Sequence, residues 1–167
     1  MRRRKFIQGA AVGLTAAASL SMKALNVPSF GVVEKGQIYL ATITNPAVGQ
    51  GGFWTVPSGF GFEIIHVRYV LTCGVTVANR APAIFATWQN QLIFIATTAS
   101  VLAALGTGDV NMGRGYGPNL SGSGVLQVCL PQVLLPPETV IEFDAFNFQV
   151  TDSIVGATIL GIAYPLA

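Results

Sequence analysis

Apolar residues along this chain occur in short runs in which every second position is apolar, and turn-forming Gly, Pro and Asn separate the runs. In the clearest run, Phe62 to Thr72, one alternate set is apolar: Ile65, Val67, Tyr69, Leu71. The other set contains His66 and Arg68. A repeat of two places alternate side chains on opposite faces of a strand. The segment therefore predicts an antiparallel strand with one buried face.

Similar runs occupy most of the chain after residue 36, and we predict the following strands: Gln37–Thr44, Phe53–Val56, Phe62–Thr72, Ala83–Trp88, Leu92–Thr98, Val125–Leu130, Thr139–Val150, Ile154–Tyr164. Gln89-Asn90-Gln91 predicts a hairpin turn. Ser100–Leu105 is predicted as a short helix or a further strand. The glycine-rich residues 106–124 predict a long loop.

This pattern predicts an all-β fold, because many short strands follow one another without a strong amphipathic helix. We expect an antiparallel β-sandwich over residues 27–167, with an eight-stranded jelly roll as the first choice. An immunoglobulin-like sandwich is the alternative.

Residues 1–26 form a separate basic and apolar tail, for which we expect a short helix. Four cations, Arg2, Arg3, Arg4 and Lys5, precede an Ala-rich uncharged run, Gly9–Met22. Arg3-Arg4-Lys5-Phe6-Ile7-Gln8 resembles a twin-arginine export signal, although Arg2 stands where that family usually has Ser or Thr. The tail has three interpretations: a cleaved export signal, a membrane anchor, or a retained assembly arm whose cations contact a membrane, nucleic acid or an acidic partner.

The charge distribution points to assembly. Residues 1–23 contain five cations and no acid, whereas residues 24–167 contain four cations and seven acids. Only 10% of all residues are charged, against about 25% in typical domains. The body must therefore expose uncharged area, which marks interfaces. Besides Arg2, Arg3, Arg4 and Lys5 in the tail, we expect these interface residues in the body: Trp54, Trp88, Arg114, Tyr116, Phe146, Phe148.

The titratable residues do not form a catalytic pattern. His66 is the single histidine, and Glu142 and Asp144 lie two residues apart on one strand face. Cys73 and Cys129 are expected to be buried thiols, or one disulfide bond in an exported protein. We therefore expect no enzyme activity, no cofactor and no metal site.

Short motifs resemble those of small jelly-roll virion proteins of bacteriophages. Val56-Pro57-Ser58-Gly59 precedes the long alternating strand, Val77-Ala78-Asn79-Arg80 follows it, and Leu135-Pro136-Pro137 precedes another. The similarity covers roughly residues 50–155 and implies that Asn79 and Arg80 lie in a turn at a strand end. The family includes decoration, vertex and minor capsid proteins, which usually lack an export-like tail.

The resemblance implies a non-enzymatic structural subunit of a virus particle, located in the virion. Its partners would be copies of itself and other capsid proteins, with no small-molecule substrate, and residues 2–5 would contact a membrane or nucleic acid. One alternative is an exported subunit of an extracellular fibre or surface assembly, in the periplasm or outside the cell. Another is a small ligand-binding β-sandwich that uses residues 106–124 and the carboxylates of Glu142 and Asp144.

Overall fold

A computed structural model describes residues 36–116, 121–122 and 125–166 of the chain. The tail that we predicted over residues 1–26 lies outside these described residues, and so do Arg2, Arg3, Arg4 and Lys5.

Within the described ranges the protein is all-β, as the alternating pattern predicts, and contains no helix. The strands are β1 (Gln37–Thr42), β2 (Gly52–Thr55), β3 (Phe60–Thr72), β4 (Ala81–Trp88), β5 (Gln91–Thr97), β6 (Thr107–Gly113), β7 (Ser121–Gly122), β8 (Val125–Cys129), β9 (Leu134–Leu135), β10 (Val140–Phe146) and β11 (Ser153–Pro165).

The strands form two sheets. A seven-stranded sheet has the order β1-β11-β3-β6-β8-β7, with β9 paired to the start of β3. A four-stranded sheet has the order β2-β10-β4-β5. Neighbouring strands are antiparallel except β6 and β8, which run parallel.

The core lies between the two sheets, which contact each other through their inward side chains. Tyr69 of β3 is fully buried, and its ring lies 5.8 Å from the ring of Phe143 on β10. Its hydroxyl lies 3.1 Å from the carbonyl oxygens of both Ala83 and Asp144, to either of which it can donate a hydrogen bond. Burial raises the pKa of Tyr69, so the hydroxyl stays protonated as this donor. The side chain therefore joins the two sheets through both apolar and polar contacts.

A buried ion pair joins the loop before β4 to the loop before β11. Arg80 donates from Nε and Nη2 to the two carboxylate oxygens of Asp152 at 2.9 Å, and both side chains are fully buried. Asp152 also accepts the backbone N–H groups of Gly74 and Gln149 at 2.8 Å. These four contacts satisfy a charge that would otherwise be costly to bury. Hydrogen bonding to Arg80, Gly74 and Gln149 outweighs the effect of burial and lowers the pKa of Asp152.

The predicted loop over residues 106–124 is wrong at Thr107–Gly113, where the chain forms β6, and at Ser121–Gly122, where it forms β7. Strand β6 pairs with β3, and its Val110 and Met112 are fully buried in the core. The glycines of β6 lie inside a paired strand. A Cβ atom at Gly108 would lie 2.9 Å from Leu102, and one at Gly113 would lie 3.0 Å from Tyr116. Gly108 and Gly113 therefore lie where a larger residue would crowd a neighbouring side chain, as glycines inside strands often do.

The register of β3 differs from the prediction at one position. Val67, Tyr69 and Leu71 face the core as expected, but Ile64 takes the inward position expected of Ile65. A register shift between β3 and β11 at Leu160 and Gly161 explains the change, because an extra residue in one strand reverses the alternation.

The connections between strands confirm one prediction and correct two. Gln89 and Asn90 both have positive φ, 48° and 61°, as a two-residue hairpin turn requires. Residues 100–105 are neither helix nor strand, although Leu102 forms an isolated bridge with Arg80. Leu134–Leu135, which is not among the predicted strands, forms β9.

Candidate assembly interface

The outer face of the four-stranded sheet carries exposed apolar side chains around two carboxylates. We call it the acidic–aromatic face and define it by six residues: Phe53, Phe85, Ile95, Glu142, Asp144, Phe146. The strand register sets its layout, because Glu142 on β10 lies opposite Phe53 of β2 on one side and Phe85 of β4 on the other. Phe85 in turn lies opposite Ile95 of β5. One row across all four strands is thus apolar except for Glu142.

The apolar side chains of this face are accessible to solvent to an unusual degree. Phe53 is 70% exposed, Phe146 45% and Ile95 42%. The rings of Phe85 and Phe146 pack edge to face, with centroids 5.6 Å apart. Ala83 also points to this outer side of β4, between Phe85 and Ala81, but it is fully buried and adds no exposed area to the face. Exposed aromatic groups on the outer face of a sheet form the kind of surface that protein partners cover.

The charged residues of the face are all acidic. Its four strands contain no Lys, Arg or His, so Glu142 and Asp144 are their only charged residues. Partial burial raises the pKa of Glu142, and the neighbouring Asp144 raises it further. Burial also raises the pKa of Asp144, although its Oδ1 accepts the Ala145 N–H at 2.7 Å. Neither carboxylate forms an ion pair with another described residue. The two carboxylates of the face are therefore suited to form ion pairs with a cationic group.

A cavity of about 480 Å³ lies beside the face, between the end of β1 and the start of β2. Asn45, Gln50 and Trp54 contribute polar and aromatic groups to its wall. Gly51 also lines it and lies against the acidic pair, since a Cβ atom there would be 3.5 Å from Oε1 of Glu142. The cavity and the carboxylates therefore share a border.

The outer face of the seven-stranded sheet is chemically different, because its charges are paired. Arg68 on β3 donates from Nε and Nη2 to both carboxylate oxygens of Asp109 on β6, at 3.0 and 2.9 Å. His66 lies nearby, and burial followed by the positive charge of Arg68 lowers its pKa. The apolar exposure of this sheet is concentrated at its β1 edge, at Ile38 and Leu40.

Of the six predicted body contacts, Phe146 lies on the acidic–aromatic face. Trp54 is half-buried, and its ring lies 4.9 Å from Phe62 of the core. Trp88 is half-buried and donates from Nε1 to the carbonyl oxygen of Pro137 at 3.0 Å. Phe148 packs against the core. The structure therefore does not bring these three aromatic residues together with Phe146 on one exposed surface.

The remaining two predicted contacts lie near the end of β6. Arg114 donates from Nε to the carbonyl oxygen of Ile64 at 3.0 Å and forms an ion pair with Glu63. Tyr116 lies edge to face with His66, with ring centroids 5.8 Å apart. Both are half-buried. They belong to the surroundings of the seven-stranded sheet, away from the acidic–aromatic face.

Phe85 and Ile95 are members of the face that sequence reasoning missed. Each lies in a run that is apolar at nearly every position, so the alternation that would show an outward side chain is absent. The useful signal was their position in strands that flank a two-residue hairpin, which fixes the register between them.

The two cysteines have different environments. Both are free thiols, with Cys73 buried and Cys129 exposed, so the expectation of two buried thiols is wrong for Cys129. Burial raises the pKa of the Cys73 thiol.

No family model, curated protein or solved structure matches this chain. Among the described residues, no group of three or more His, Cys, Asp or Glu side chains is placed to hold a metal ion. The same residues contain no helix long and apolar enough to cross a membrane.

Proposed function

We propose that this chain is a non-enzymatic structural subunit of a virus particle, built as a jelly roll. The proposal of a jelly roll rests on how the strands pair. Four antiparallel pairs are nested along the chain: β4 with β5, β3 with β6, β2 with β10, and β1 with β11. Successive pairs alternate between the two sheets. A long hairpin that wraps around a core produces this order, and the double Greek key of a jelly roll is such an arrangement.

The fold alone does not select a function, because jelly rolls also occur in lectins and cupins. The observation that carries the proposal is the acidic–aromatic face. Phe53 and Phe146 are exposed on a regular sheet surface. Removing such apolar groups from water lowers the free energy. A subunit that packs against copies of itself, and against other capsid proteins, would cover them. The virion is the location that this role implies.

Sedimentation velocity of the purified full chain, with electron microscopy of the same sample, tests the proposal. We expect concentration-dependent assemblies of regular shape. Phe53→Ser should weaken association at least about tenfold, because aromatic groups dominate interface energies. Val77→Ser is the matched control, since Val77 is 93% exposed but lies in a loop outside the face. A monomer at every concentration, for the wild-type chain, would contradict the proposal.

A second candidate, a small ligand-binding β-sandwich, is favoured by the cavity beside Gly51. Its volume of about 480 Å³ lies in the range of small-molecule sites. Asn45 and Gln50 would provide hydrogen bonds and Trp54 an aromatic wall. Titration calorimetry with a panel of neutral mono- and disaccharides tests it. Heat of binding that disappears in Trp54→Ala would favour this candidate, and the absence of heat for every sugar would count against it.

A further inference from the structure

The described part of the chain has no cation left for the carboxylates of the acidic–aromatic face. It contains three arginines, and each already pairs with an acid elsewhere: Arg68 with Asp109, Arg80 with Asp152, Arg114 with Glu63. Glu142 and Asp144 remain unpaired among the described residues. A cation that neutralises them must therefore come from outside these residues.

The N-terminal tail supplies matching chemistry. Arg2, Arg3, Arg4 and Lys5 are consecutive cations, and residues 1–23 contain no acid. Phe6 and Ile7 follow immediately, so a cationic group and an apolar group are adjacent in the sequence. The face has the complementary layout, because Glu142 lies in one row between Phe53 and Phe85. Complementary charge beside apolar contact is the arrangement that fixes register between partners.

The tail is long enough to reach another subunit. Roughly 30 residues separate Lys5 from the start of the described chain, and they span on the order of 100 Å when extended. A domain of this size has a radius of gyration of roughly 14 Å. The described chain begins beside β1, at an edge of the seven-stranded sheet, whereas the face lies on the outer side of the four-stranded sheet. A tail of this length can reach the face of its own subunit or that of a neighbour, and the assembly of copies in the proposed function is what favours the neighbour.

We propose that the acidic–aromatic face of one subunit binds the basic arm, residues 2–7, of a neighbouring copy of the same chain. Arginine side chains of the arm would pair with Glu142 and Asp144, while Phe6 and Ile7 would cover part of the exposed aromatic surface. The inference rests on the proposed function, because it needs subunits that assemble. It deepens that function by naming the partner as the chain's own N-terminus.

Two full-length variants and their mixture test the inference. The arm variant carries Arg2→Gln, Arg3→Gln, Arg4→Gln and Lys5→Gln, and the face variant carries Glu142→Gln and Asp144→Asn. The matched control, Asp109→Asn with Glu138→Gln, removes two acidic charges outside the face. In sedimentation velocity at low salt, each test variant alone should associate at least about tenfold more weakly than the control. Higher salt should weaken the wild type more than either variant.

The mixture distinguishes a neighbour's arm from the chain's own arm. The face variant keeps an intact arm, and the arm variant keeps an intact face, so together they should regain association in mixed complexes. A fluorescent label on one variant identifies those complexes. If both variants are weakened and the mixture stays weak, the arm binds its own subunit and the inference is wrong.

Other outcomes separate the inference from the proposed function. Variants that assemble as strongly as the control overturn the arm contact but leave the structural role intact. A wild-type chain that never assembles overturns both. The intact mass of the native protein is the final check: 17.5 kDa means that the arm is retained. A mass that lacks the tail overturns the inference and favours the exported assembly.

Discussion

Two groups of carboxylates in this protein have opposite environments. Asp152 is fully buried, yet Arg80 and two backbone N–H groups hold its pKa below the usual range. Glu142 and Asp144 are more exposed, yet their pKa values are raised. Both carboxylates are partly buried, and within the described part of the chain no cation lies near enough to offset the effect of burial. The comparison shows that the chain neutralises the charge that its own fold must bury. The charges on the outer face have no cationic partner among the described residues, and we propose that a neighbour's arm supplies one.

Loss of the Asp152 charge should have the largest effect on stability. Asp152→Asn leaves Arg80 buried without a counter-charge, and breaking a buried pair in this way costs about 3–5 kcal/mol. Urea unfolding followed by tryptophan fluorescence measures the change in unfolding free energy. Asp109→Asn, which breaks the exposed pair with Arg68, should cost several-fold less because solvent screens that pair. Equal losses of unfolding free energy in the two variants would contradict the expected difference between the buried and the exposed ion pair.

The Tyr69 hydroxyl should have an intermediate effect. Tyr69→Phe removes the hydrogen-bond donor shared by the carbonyl oxygens of Ala83 and Asp144 while it keeps the ring in the core. An unsatisfied buried acceptor costs about 1–3 kcal/mol. Thermal unfolding of both proteins at one pH gives the value. An unchanged melting temperature would show that the backbone beneath the acidic–aromatic face does not depend on this contact.

Neutralising the face should have the smallest effect and the opposite sign. Glu142→Gln with Asp144→Asn removes two carboxylates that repel each other, so the isolated subunit should gain less than about 1 kcal/mol at neutral pH. Unfolding of a tail-free domain, residues 36–167, avoids any contribution from the arm, provided that cooperative unfolding shows that the domain folds by itself. A clear loss of stability would mean that the carboxylates already have a partner within the fold.

The pH dependence of the two regions should also differ in sign. A lowered folded-state pKa, as for Asp152, contributes stability above the unfolded-state pKa and loses it as the pH falls through the lower folded value. Raised pKa values, as for Glu142 and Asp144, make the protein less stable as the pH rises through them. The gain from Glu142→Gln with Asp144→Asn should therefore disappear in acid, where the wild-type groups are protonated. A gain that persists at acid pH would contradict the assigned cause.

The sequence predicts the strands better than it predicts the outer faces. Alternation identifies β3 and β10, because inward and outward residues differ in polarity there. It fails for β6, where glycines serve close packing, and at Ile65, where a bulge reverses the faces. It also fails for Phe85 and Ile95, whose strands are apolar on both sides. An outward apolar residue cannot be told from a core residue until the strand pairing is known.

The burial of Phe53 upon assembly tests the central claim most directly. Hydroxyl-radical footprinting of the full chain, as dissociated subunits and as assembled particles, measures the oxidation rate of each aromatic side chain. Phe53 is 70% exposed in the isolated subunit, so it should react readily there and become protected in the particle together with Phe146. Equal oxidation of Phe53 in both states, in particles confirmed by microscopy, would contradict the account.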